Sequence, residues 1–144
     1  MYLCHDINTT FYEVRAGFLD KVCVGQFEVV RDLKIVDFDF AFPLYPSYID
    51  DDMDHWHNKV VKYEVLKEIR KDLSKPLTRY DTELEYVPTQ WICEYCKMIG
   101  ADGISFASSL DKNGINYVLF NQDDAKCRRV KSRTIEEITI KAKK

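Results

Sequence analysis

Apolar residues recur along this chain with two periods, and the change from one to the other marks out its elements. Over residues 54–73 they fall at Trp56, Val60, Tyr63, Leu66, Ile69 and Leu73, steps of three and four that draw one stripe along a helix. The spacing predicts a helix that packs by one face, opened by the acidic turn Asp50, Asp51, Asp52 and Asp54 and ended by Pro76. Pro88 suits the first turn of another helix, whose face holds Trp91, Ile92, Tyr95, Cys96 and Ile99 and whose stop is Gly100. A shorter helix is predicted over residues 9–16, with Asp6 or Asn8 to cap it and Gly17 to end it.

Elsewhere β-branched and aromatic residues gather in short runs. Strands are predicted at residues 2–4, 22–30, 33–38, 103–107 and 117–120, with segments between residues 127 and 140 completing the sheet. Pro43 and Pro46 mark a loop. This order lacks the regular βαβ rhythm of a Rossmann fold, so the expected class is α+β with mixed strands, in one domain over residues 1–144.

Composition narrows the function. With 46% apolar residues the chain can build one core, and a net charge of −3 gives no global field that would draw in nucleic acid or an anionic membrane. The charge is unevenly placed: residues 126–144 hold eight Lys or Arg against two Glu, a local +6 on a body of −9. Such an end suits a phosphate-bearing ligand, or simply a solvated edge strand and tail. No run approaches the roughly 18 apolar residues that cross a bilayer, and the N-terminus has no basic segment followed by an apolar stretch. A soluble, cytoplasmic protein is expected, touching neither nucleic acid nor membrane. Five cysteines, an odd number set mostly among apolar neighbours as in Val22-Cys23-Val24, read as reduced, buried thiols.

Familiar site signatures are missing: there is no Gly-x-Gly-x-x-Gly loop, Walker-type lysine loop, His-Glu-x-x-His pair or Gly-x-Ser-x-Gly elbow. Cys93 and Cys96 form a Cys-x-x-Cys inside a predicted helix without a second pair to complete a zinc site. The aspartates, His55 and His57 over residues 50–57 read as a negatively charged helix start. No metal is expected at either place.

Read together, separated segments resemble the RES family. Tyr2-Leu3-Cys4, a helix with Glu13-Val14-Arg15, Val22-Cys23-Val24-Gly25-Gln26-Phe27 and Leu33-Lys34-Ile35-Val36-Asp37 resemble its front half. Tyr86-Val87-Pro88-Thr89-Gln90, then Gly100-Ala101-Asp102-Gly103-Ile104-Ser105-Phe106-Ala107-Ser108-Ser109, then Asn116-Tyr117-Val118-Leu119-Phe120 resemble its back half.

The resemblance implies a fold related to ADP-ribosyltransferase toxins and an enzyme that breaks the nicotinamide–ribose bond of NAD⁺ by phosphorolysis or hydrolysis. NAD⁺ is then the substrate rather than a resident cofactor, with phosphate as an optional co-substrate. It also implies a toxin held by an antitoxin partner, and leaves a homo-oligomer open. Tyr2, Glu13 and Ser108 match the family's tyrosine, glutamate and serine: Tyr2 and Ser108 would contact the nucleotide and Glu13 the reacting sugar, with Glu13 and Ser108 as the catalytic pair. The family's arginine stands upstream of the tyrosine, where this sequence has only Met1, so an N-terminally shortened RES-like domain is expected. A module that binds a nucleotide or a partner without turnover is the alternative.

Overall fold

The computed structural model describes residues 1–39, 53–73 and 87–139. Its elements are β1 (Tyr2–Cys4), α1 (Ile7–Glu13), β2 (Lys21–Val29), β3 (Ile35–Asp37), α2 (Met53–Leu73), α3 (Val87–Met98), β4 (Gly103–Ala107), β5 (Ile115–Leu119) and β6 (Ala125–Thr134). Pro43, Pro46, Asp50 to Asp52 and Pro76 lie outside the described residues, as do the side chains of Asp54 to Val60.

Four strands form a mixed sheet in the order β1-β5-β4-β3, with only β3 parallel to its neighbour. The class is α+β, as the mixed order of elements predicts. Register places Tyr2, Val118, Ile104 and Val36 in one row across this sheet, and Cys4, Asn116 and Phe106 in the next. Paired residues share a face. On that face Ile104 and Phe106 meet Ile92 and Cys96 of α3, flanked by Ile69 and Leu73 of α2, and these make the core.

Of the predicted α3 face, therefore, only Ile92 and Cys96 are buried; Trp91 and Tyr95 stack on each other in solvent with ring centroids 5.8 Å apart. Likewise Leu66 is exposed while Ile69 and Leu73 pack. Gly103 is demanded by close approach, since a Cβ there would stand 2.6 Å from the Val118 carbonyl oxygen.

The sequence reading put every strand in one sheet, and here the structure differs. β2 and β6 pair only with each other, as an antiparallel ribbon joining residues about a hundred positions apart. A two-stranded ribbon is marginal alone, and this one is fastened at both ends. Leu19 and Ile135 donate backbone hydrogen bonds to Ile135 and Asp20 at one end. At the other, the Arg31 guanidinium donates to both carboxylate oxygens of Asp124, at 2.9 and 2.8 Å, and to Asp102 at 2.7 Å. Asp102 also accepts from the Lys34 amide. One arginine thus ties the ribbon to the start of β4. The ribbon is largely exposed, so Cys23 and Cys127 are exposed rather than buried as expected from their apolar neighbours.

Candidate functional site

Helix α1 exists because Asp6 caps it: its carboxylate accepts from the amides of Asn8 and Thr9 and from the Thr9 hydroxyl. Those bonds hold the Asp6 carboxyl below its usual range, with Thr9 the largest cause. The helix starts two residues before the predicted 9–16 and stops earlier, because Arg15 takes the left-handed conformation at φ 51° before Gly17 is reached. Glu13 is therefore the last helical residue, where the helix dipole disfavours an anion.

Two side chains from the far half of the chain offset that cost. The Ser108 hydroxyl donates to Glu13 Oε1 at 2.6 Å, and the Asn116 amide donates to the same oxygen at 2.8 Å. Ser108 is positioned by its own turn, since its Oγ accepts from the amides of Leu110 and Asp111. Asn116 is 1% exposed and its Oδ1 lacks a hydrogen-bond partner, an arrangement that costs about 1–3 kcal/mol. A carboxylate accepts only, so the amide has to turn its NH₂ toward Glu13 and leave the oxygen unpaired. The turn that carries Ser108 is pressed onto α1 through the fully buried Thr9, whose Oγ1 stands 2.9 Å from an Asp111 carboxylate oxygen and shares its one proton between that oxygen and Asp6.

Tyr2 completes the group from β1. Its ring meets Phe106 edge-on with centroids 6.3 Å apart. Burial of the phenol, then the nearby charge of Glu13, push its ionisation far above the tyrosine range, although 49% of the residue's surface stays open. The three residues singled out in the sequence, Tyr2, Glu13 and Ser108, thus converge on one carboxylate.

That carboxylate opens into a cleft of about 680 Å³ between β1, α1 and the ribbon. Tyr2 and Glu13 line it; Ser108 and Asn116 are not among the lining residues and hold Glu13 by its Oε1. Phe27 and Tyr117 contribute aromatic wall. Gly25 makes room for the Phe27 ring, which a Cβ there would approach to 2.9 Å. The remaining wall, from β6, carries Arg129, Lys131 and Arg133.

The arrangement suits a ligand whose reacting centre gains positive charge beside Glu13. Among the described residues no group of three or more His, Cys, Asp or Glu is placed to hold a metal ion. Burial pushes the thiols of Cys93 and Cys96 up, Cys96 as a core side chain.

The RES domain model matches residues 1–140. The chain belongs to the RES domain family. No curated protein and no solved structure matches it. Within this RES domain, sequence reading does not single out Asn116 as a site residue, although it opens one of the segments that carry the resemblance. It marks the basic end over residues 126–144 as suited to a phosphate-bearing ligand, but does not say which of its cations line the cleft. The signal available for them was the alternation of Arg129, Lys131 and Arg133, one face of a strand.

Proposed function

We propose that this RES domain, taken as one domain over residues 1–144, binds NAD⁺ in the cleft and cleaves the nicotinamide–ribose bond. The observation that carries the reading is the Glu13 carboxylate, fixed by Ser108 and Asn116 at the wall of a cleft that Tyr2 also lines. As nicotinamide leaves, positive charge moves from the pyridinium ring onto the ribose, and a pre-oriented carboxylate stabilises it more in the transition state than in the ground state. Tyr2 offers a ring face to nicotinamide. Ser108 acts through Glu13: its proton is committed to that carboxylate and its lone pairs to two amides. Phosphate or water then attacks the sugar. An activity that drains NAD⁺ calls for a partner protein that covers the cleft, and this is the place in the proposal for an antitoxin.

The test follows loss of NAD⁺ and release of nicotinamide by the purified chain, with and without phosphate. Glu13→Gln is expected to lower turnover by about a hundredfold or more, by analogy with removing one charge-stabilising group from an active site, while the melting temperature stays near that of the parent. Undiminished turnover in Glu13→Gln would overturn the reading.

A further inference from the structure

Three cations, Arg129, Lys131 and Arg133, alternate along β6 and all line the cleft that holds Glu13. Their cross-strand partners on β2 are Gln26, Val24 and Val22, so no carboxylate faces them within the ribbon. Among the described residues none of the three enters an ion pair, whereas their neighbour Arg128 is spent on Glu28 at 2.5 Å. The β-bulge explains the difference. Gln26 pairs with Arg129 and Phe27 with Cys127, leaving Arg128 as the extra residue. Beyond the bulge, steps of two keep three successive cations on one face.

A row of cations with no carboxylate partner is a ready partner for a polyanion. Members two apart on a strand stand about 7 Å from each other, so two adjacent ones can bracket a pair of linked phosphates. Across the cleft the electrostatics reverse sign at Glu13. A ligand matching both walls carries an anionic diphosphate at one end and a cationic or cation-forming centre at the other. The far wall is acidic at Asp6 and Glu13, which disfavours a continuous polyanion such as RNA.

We propose that Arg129, Lys131 and Arg133 form the diphosphate subsite of this cleft, with the guanidiniums gripping phosphate oxygens in forked hydrogen bonds and Lys131 adding a point charge between them. The assignment rests on the dinucleotide reading of the cleft, and deepens it by naming the residues that hold the non-reacting part of the substrate. These are binding and positioning residues, so their loss raises KM before it touches kcat.

The experiment measures two things on the full chain: ADP binding by calorimetry, and NAD⁺ cleavage kinetics. Arg129→Gln, Lys131→Gln and Arg133→Gln are each expected to weaken ADP binding about tenfold to hundredfold and to raise KM for NAD⁺ with kcat largely kept. Arg128→Gln, at the bulge and paired with Glu28, is expected to leave both unchanged. All four side chains are exposed, so circular dichroism should show unaltered folding. If NAD⁺ is cleaved but the three variants keep parental ADP affinity and KM, the subsite is wrong and the cleavage reading stands. If ADP binding depends on the stripe but NAD⁺ is never cleaved, the subsite stands and the cleavage reading fails. Single-stranded RNA that binds the stripe while ADP does not would overturn the subsite.

Discussion

Glu13 carries its charge at the unfavourable end of a short helix, and what makes it usable is the pair of donors that arrives from residues 95 and 103 positions away. Removing either should loosen the carboxylate rather than the ligand. Ser108→Ala and Asn116→Ala are therefore expected to lower kcat for NAD⁺ about tenfold to hundredfold with little change in KM, the pattern of an interaction realised in the transition state. Partial unfolding would also lower apparent kcat at constant KM by reducing the active enzyme, so the melting temperature of each variant, expected near the parent's, separates the two. Tyr2, Glu13 and Ser108 were legible in the sequence only through motif order and spacing; taken singly, each is an ordinary residue. Asn116 sat within a quoted motif and still went without a role. Its contact with Glu13 depends on β5 lying beside the end of α1, which no local pattern encodes.

Among the elements, α1 is the one whose placement the site needs, and it is set by side chains rather than by an apolar stripe. Thr9 is its buried anchor. A Cβ at Gly114 would stand 2.6 Å from Thr9 Oγ1 and 2.7 Å from its methyl carbon, contacts closer than real structures allow. Gly114→Ala should consequently push α1 from the turn that carries Ser108, costing about 1–3 kcal/mol as overpacking does. Urea denaturation would register that loss, and NAD⁺ turnover would fall with it as Glu13 moves off its donors; unaltered stability would mean that the turn yields instead. Helix and strand positions were largely readable from periodicity, with ends shifted by at most three residues except at β6, which stops at Thr134 rather than near residue 140. The end of α1 was not, because a non-glycine residue, Arg15, adopts the conformation for which Gly17 was the natural candidate.

For the molecule as a whole, the question is how a ribbon outside the main sheet keeps its face toward the site. Arg31 answers most of it. The guanidinium beside Asp102 holds that carboxyl at about 2, down from 3.8, and the two aspartates raise the Arg31 ionisation further. A depressed carboxyl contributes stability that is present above pH 3.8 and lost as pH falls toward about 2. Between those values the parent should lose melting temperature more steeply than Asp102→Asn, in which that titration is gone; parallel curves would show that the contact adds nothing in solution. Arg31 had no signal in the sequence, since its partners lie 71 and 93 residues on. The separate ribbon was hidden for the same reason: strand propensity says that β2 and β6 are strands, and nothing local says which neighbour each takes. The bulge within it has a consequence for insertions and deletions. Arg128 is supernumerary in the pairing, so a chain lacking it would straighten the ribbon yet keep Arg129 opposite Gln26. Loss of Val130, by contrast, would set Arg129 and Lys131 on opposite faces. Within this ribbon, length is tolerated at one position and, two residues on, decides which way the cations point.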